Sequence, residues 1–184
     1  MERITGVALP DVVKVTCYRH RFFGTPFNDL VQAAMRGPSF WSVAERELFA
    51  ARTSKLNTCP FCVSGHQPMA ASYGGSEVAA AVEAPKDASI RAAAKAVLVF
   101  LDKLAGDPDS VGAPDAAAVS DAGVPAGALE EAVRIAVLFH VINRLMNGLG
   151  STAMPDRQQR MGVRLIRLLG YRTPLVVRIM SRAR

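Results

Sequence analysis

The chain has 184 residues, 50% of them hydrophobic and 21% charged. That suits one domain with enough interior for a core, and it excludes wholesale disorder. With 14 Gly, 11 Pro and 3 Cys, the collagen-like, low-complexity and disulfide-scaffold classes fall away. The formal charge of +6 is unevenly placed. Residues 155–184 carry eight Arg and one Asp, while the rest holds 14 Lys and Arg against 15 Asp and Glu. The excess is therefore a basic tail, and no nucleic-acid recognition motif accompanies it. No apolar run approaches the roughly 18 residues a membrane-spanning helix needs. The opening MERITGVALPD lacks the apolar stretch of a secretory signal, so the expected setting is a reducing cytoplasm.

Residues 1–24 read as irregular, with Pro10, Gly24 and the run Tyr18-Arg19-His20-Arg21-Phe22-Phe23. A short helix is predicted over 26–36, stopped by Gly37-Pro38. Ser42 and Glu45 form a capping box for a helix reaching about Leu56, with Asn57 as its left-handed stop. Pro60, favoured at a first helical position, starts a helix to about Tyr73 that Gly74-Gly75 ends. Ser76 opens a short helix that Pro85 closes. Ile90, Ala94, Val97, Leu98, Leu101 and Leu104 recur at helical spacing, predicting a long amphipathic helix over 87–105. A loop over 106–114 and a short helix over 115–122 follow. Pro125 introduces a helix to about Asn147, apolar almost all round and so buried on most sides in a core or an oligomer interface. Two tail helices are expected, 157–169 and 174–183, on either side of Gly170. No segment alternates with period two, so the fold class is all-α. The predicted organisation is an N-terminal segment over 1–25, a helical domain over 26–154 and a basic helical tail over 155–184.

The chemistry concentrates in Asn57-Thr58-Cys59-Pro60-Phe61-Cys62-Val63-Ser64-Gly65-His66. A two-residue gap at a helix start lets the Cys59 and Cys62 sulfurs meet within the first turn. Unpaired amides and the helix dipole stabilise a thiolate there. His66 follows Cys62 by four residues, on the same helix face, and can exchange a proton with a thiol or a leaving group. This is equipment for thiol redox chemistry: a thiolate attacks a peroxide oxygen, a second cysteine condenses with the sulfenic acid, and a dithiol reduces the resulting disulfide.

Glu47, eleven intervening residues, then Cys-x-x-Cys-x-x-x-His resembles the alkylhydroperoxidase D-like branch of the carboxymuconolactone decarboxylase family. The segment Leu138-Phe139-His140-Val141-Ile142-Asn143-Arg144-Leu145 resembles that family's buried helix. The likeness covers about residues 27–150. It implies an all-helical subunit of a homo-oligomer, a trimer or hexamer, acting on hydroperoxides with a small-molecule or protein dithiol as reductant and with no metal or organic cofactor. It implies Cys62 as the attacking thiolate, Cys59 as the resolving partner, and Glu47 with His66 as a proton relay. One position departs from the pattern: the best-known peroxidase members carry His just before the second Cys, where this chain has Phe61.

Axial counting alone does not join Glu47 to His66. Glu47 lies about 15 Å of helix before Asn57 and His66 about 9 Å after Pro60, at ~1.5 Å per residue, so a straight hairpin misses by one turn. Phe61 and His140 are site-lining candidates, the latter because Asn143, Arg144 and Asn147 follow it at helical spacing. Two other readings use the same residues. One is a non-catalytic redox-sensing or binding module. The other is a small zinc protein, with Cys59, Cys62 and His66 as ligands and Cys17, Glu47 or His140 as a fourth. Arg157, Arg160, Arg164 and Arg167 form a stripe on the first tail helix. Its expected role is docking on a neighbouring subunit, ahead of contact with an acidic surface, such as anionic lipid or an acidic partner protein.

Overall fold

The computed structural model describes residues 10–18 and 20–174. Among them are eight α-helices and no strand, as the missing period-two pattern implied. They are α1 (Asp11–Tyr18), α2 (Thr25–Arg36), α3 (Val43–Leu56), α4 (Pro60–Ala80), α5 (Ala92–Gly106), α6 (Ala113–Asp121), α7 (Ala126–Gly148) and α8 (Asp156–Leu169). Contacts divide the chain into two units, Pro38–Ala153 and one made of the terminal segments Met1–Gly37 and Met154–Arg184.

In the larger unit, α3 begins as the sequence predicts. Ser42 Oγ accepts from the Glu45 N–H, and Glu45 returns a carboxylate oxygen to the Ser42 N–H, which satisfies two otherwise orphaned donors. Nearly every residue of α3 from Ala44 to Ala51 is buried, Glu47 included. Trp41, Leu48, Phe49, Met69, Leu98, Leu101, Ile135 and Met146 fill the core, each burial contributing on the order of 1.5–3 kcal/mol. The Trp41 indole N–H donates to the Ala128 carbonyl at 2.7 Å, so the core's largest side chain leaves no unpaired polar atom. The Arg52 guanidinium forks onto both Asp102 oxygens and also donates to the Val82 carbonyl, joining α3 to α5 and to the turn after α4.

Helix α4 breaks at Gly75, where φ is 83°, a value that glycine adopts without penalty. The segment beyond stops at Ala80 because the chain tightens into turns well before Pro85. The helix predicted from residue 87 begins only at Ala92. Arg91 is extended there, its guanidinium held on Glu45 by two bonds of 2.7 and 2.9 Å. Helix α7 is less enclosed than its composition suggests. One face is buried, Ile135, Phe139, Ile142 and Met146 among it, while Val137 and Val141 lie about half-exposed on the other.

The terminal unit corrects the reading of residues 1–24 as irregular. The Pro10 carbonyl accepts from Val13 and Lys14 to start α1, and Thr16 Oγ1 bonds back to Val12. A π-type turn, His20–Gly24, follows. Gly24 is required there, since a Cβ would lie 1.7 Å from the Thr16 carbonyl oxygen. The chain after α8 is fastened to α2: Asn28 donates to Thr173 Oγ1, the Tyr171 N–H donates to Gln32, and Arg36 lies over the Tyr171 ring at 4.8 Å. Helix α8 exposes Arg157, Arg160 and Arg164 together with Leu165, Leu168 and Leu169. The helix expected over 174–183 falls outside the described residues beyond 174. No helix among the described residues is long and apolar enough to cross a membrane.

Candidate functional site

The chain reverses between α3 and α4 within three residues. The left-handed residue is not Asn57, which caps α3 at φ −81°, but Thr58, at φ 48°, one place later, and Cys59 precedes the first helical residue, Pro60. Thr58 is the one non-glycine residue with positive φ among the described residues. For a β-branched side chain that conformation costs on the order of 1–3 kcal/mol. The reversal is tight enough for the Cys59 N–H to donate to the Ser54 carbonyl at 2.9 Å.

That single bond explains how Glu47 meets His66. It sets Cys59 beside Ser54, so α4 starts alongside the last turn of α3 instead of beyond its end. Counted from there, Glu47 and His66 each lie seven residues away, about 10.5 Å of helix at ~1.5 Å per residue. The one-turn miss, reckoned from the helix ends, disappears. Glu47 is fully buried, and its Oε2 lies 2.7 Å from His66 Nδ1. The ring packs edge-on against Phe139 of α7, with centroids 4.5 Å apart. A carboxylate only accepts, so Nδ1 donates, and the Glu47 bond fixes the tautomer and orientation of the His66 ring.

Cys59 and Cys62 are unbonded thiols, both buried, at 1% and 4% exposure. They approach to 3.4 Å, so closure to a bond of about 2.05 Å takes only a small side-chain movement. The Cys62 thiol directed at Cys59 lowers the Cys59 pKa to about 7. The backbone N–H groups of Cys62 and Phe61 add to this, against the effect of burial. Cys62 shifts the other way, since its proton serves Cys59, it is buried, and the Cys59 charge opposes a second one. The two thiols therefore titrate as a pair, with Cys59 favoured to give up its proton before Cys62. Phe61 is buried beside them, and His66 follows Cys62 by one helical turn.

His140 lies at the other side of the reversal and is joined to neither Glu47 nor His66 by the bonds it makes at Nδ1. That atom lies 2.9 Å from Asn57 Nδ2 and 3.1 Å from Arg144 Nη1. An Arg nitrogen can only donate, so Nδ1 accepts and the ring is the neutral Nε2–H form. Burial, helped by the Arg144 charge, holds its pKa below the ordinary value of 6.5. Asn147 donates from Nδ2 to the Asn57 carbonyl at 3.0 Å. Deeper on α7, the fully buried Asn143 receives Ser54 Oγ at 3.1 Å, and its Nδ2 has no partner. Asn57, Thr58, Ser54 and Phe139 escaped the sequence reading as site residues. The only available signal was the helical spacing of Phe139, His140, Asn143 and Asn147. Among the described residues, no three of His, Cys, Asp or Glu are grouped to hold a metal ion.

No protein-family model matches the chain, and no curated protein does. Solved structures do match. One is the alkylhydroperoxidase AhpD core of an uncharacterized peroxidase-related protein from Ralstonia eutropha JMP134, 24% identical over 88% of this chain and 85% of that one, with a TM-score of 0.74. Another is an uncharacterized peroxidase-related protein from Silicibacter sp. TM1040, 19% identical over 85% of this chain and 82% of that one, with a TM-score of 0.73. At these identities the likeness speaks to architecture: the chain has the all-helical AhpD-like fold.

Proposed function

We propose that the chain is a cysteine-based peroxidase that cycles between dithiol and disulfide at Cys59 and Cys62. The observation that carries this reading is a thiol pair 3.4 Å apart at a helix start, one helical turn before a histidine whose Nδ1 is bound by a buried carboxylate. The resemblance gives the attack to Cys62. Its sulfur takes the terminal oxygen of a hydroperoxide: the S–O bond forms, the O–O bond breaks, and two electrons pass from sulfur to the peroxide. His66, steadied by Glu47, draws the proton the two cysteines shared and delivers it to the departing alkoxide, which leaves as alcohol. Cys59, left as thiolate, attacks the sulfenic sulfur. Hydroxide leaves, takes a proton and becomes water, and the disulfide closes. A dithiol reductant restores both thiols by exchange and departs oxidised. The partners proposed are thus a hydroperoxide, a dithiol and further copies of this chain. The half-exposed Val137 and Val141 of α7 are apolar surface that another copy would cover.

The test is peroxide oxidation of the reduced protein, followed by intact mass and then by turnover with a dithiol. Loss of two hydrogens mapping to Cys59 and Cys62, with sustained peroxide consumption, is expected. Cys62→Ser should abolish consumption, and Cys59→Ser should leave a sulfenic acid open to a sulfenate-selective probe. Full turnover in both variants overturns the reading. A disulfide that forms once and does not cycle points to a redox sensor.

A further inference from the structure

We infer that His140 is a positioning residue: through Asn57 it holds the strained Thr58 turn that seats Cys59 against Cys62 at the start of α4. The inference rests on the reading of Cys59 and Cys62 as the reacting thiols. Two independent features of the reversal carry it. Thr58 keeps a left-handed backbone that a β-branched residue adopts only when its surroundings impose it. Its neighbour Asn57 is gripped twice by α7, at the side chain by His140 and at the carbonyl by Asn147. On the far side, the Cys59 N–H is tied to Ser54. The turn is thus fixed at both ends, and the strained residue lies between the fixed points.

The bond to Asn57 requires an acceptor at His140 Nδ1. Arg144, the charged group that faces that atom, can only donate, so a proton on Nδ1 would set three donors against one another. The clamp therefore works with neutral His140. Releasing it lets Thr58 relax toward negative φ. The Cys59 sulfur then swings off the Phe61 and Cys62 amides and away from the Cys62 thiol, the groups that favour its thiolate.

The experiment follows thiolate formation in the reduced full chain by ultraviolet absorbance against pH, in a Cys17→Ser background. It needs neither peroxide nor reductant. The parent should titrate near pH 7. His140→Ala should move the midpoint up by about one unit, a roughly fivefold loss of thiolate at pH 7. His140→Gln, which keeps an acceptor, should restore the parent midpoint. Thr58→Gly should rescue His140→Ala, because glycine adopts positive φ without strain and nothing then drives the turn to relax when the clamp is gone. A folded His140→Ala protein with an unmoved midpoint overturns the inference. Should His140→Ala fail to fold, Asn147→Ala, at an exposed position, removes the other grip; it should shift the midpoint in the same direction, and an unmoved midpoint there also overturns the inference. A shifted midpoint in a chain that never consumes peroxide would sink the proposed peroxidase activity and leave the positioning role standing.

Discussion

His66 and His140 flank the same chain reversal from two helices, α4 and α7, and use the same ring nitrogen in opposite ways. At His66, Nδ1 donates to a fully buried carboxylate. At His140, Nδ1 accepts from an amide and a guanidinium. Neither role is a property of histidine. Each is dictated by whether the partner can only accept or can only donate. The lesson is that a buried acid beside one imidazole and a cation beside another make two different instruments: one ring is held by donating from Nδ1, the other is kept neutral as a structural acceptor at the same atom.

The contrast is broken most forcefully from the carboxylate side. Glu47→Ala removes one partner of a buried pair, and urea unfolding should show a loss of about 3 kcal/mol. Glu47→Gln, which keeps an acceptor for Nδ1–H, should lose about half as much. Equal losses would show that charge, not acceptance, is what His66 requires. One turn along α7 from His140, Asn143→Leu sharpens the other side. It sacrifices the Ser54 bond but also removes a buried amide nitrogen that has no partner, so stability should change by no more than about 1 kcal/mol. A larger loss would make that amide part of the clamp.

A smaller effect separates the histidines by pH. Because the folded protein holds His140 below its ordinary 6.5, the unfolded chain binds the extra proton first as pH falls. The contribution is fully present above about 6.5 and is lost through the interval below it, so the stability–pH curve should slope there and His140→Gln should flatten it. The Glu45–Arg91 pair acts lower on the scale. Burial pushes the Glu45 carboxyl up, but Arg91 and Ser42 outweigh it and hold the pKa under 4.5. Its contribution is lost only as pH falls through that lower value. The smallest change should come from Lys55, whose exposed pairing with Glu83 is worth no more than about 0.5 kcal/mol; Lys55→Ala measured by urea unfolding checks it.

What the sequence disclosed follows the range of the forces involved. The capping box at Ser42 and Glu45, the proline start of α4 and the meeting of Cys59 with Cys62 are legible because each is decided within four residues. Glu47 and His66 were linked by resemblance and missed by axial counting, because one backbone bond, Cys59 to Ser54, sets the overlap of the two helices. The Asn57–His140 contact spans 83 residues. Spacing marked His140 as one of a polar row without naming its partner. Helix α1 was overlooked because its start depends on the Pro10 carbonyl and its packing on a glycine closing against Thr16, neither of which leaves a periodic trace.

The burial of both sulfurs has a consequence for timing. With Cys59 at 1% and Cys62 at 4% exposure, the resting thiols are behind a door. A peroxide of a few atoms needs a narrow gap, whereas a dithiol reductant must bring a sulfur of its own into line with the closed disulfide. The two halves of the proposed cycle therefore call for openings of different width. In that proposed cycle the reductive half demands the wider one, so turnover should be limited there, which a rise in rate with a smaller dithiol would show.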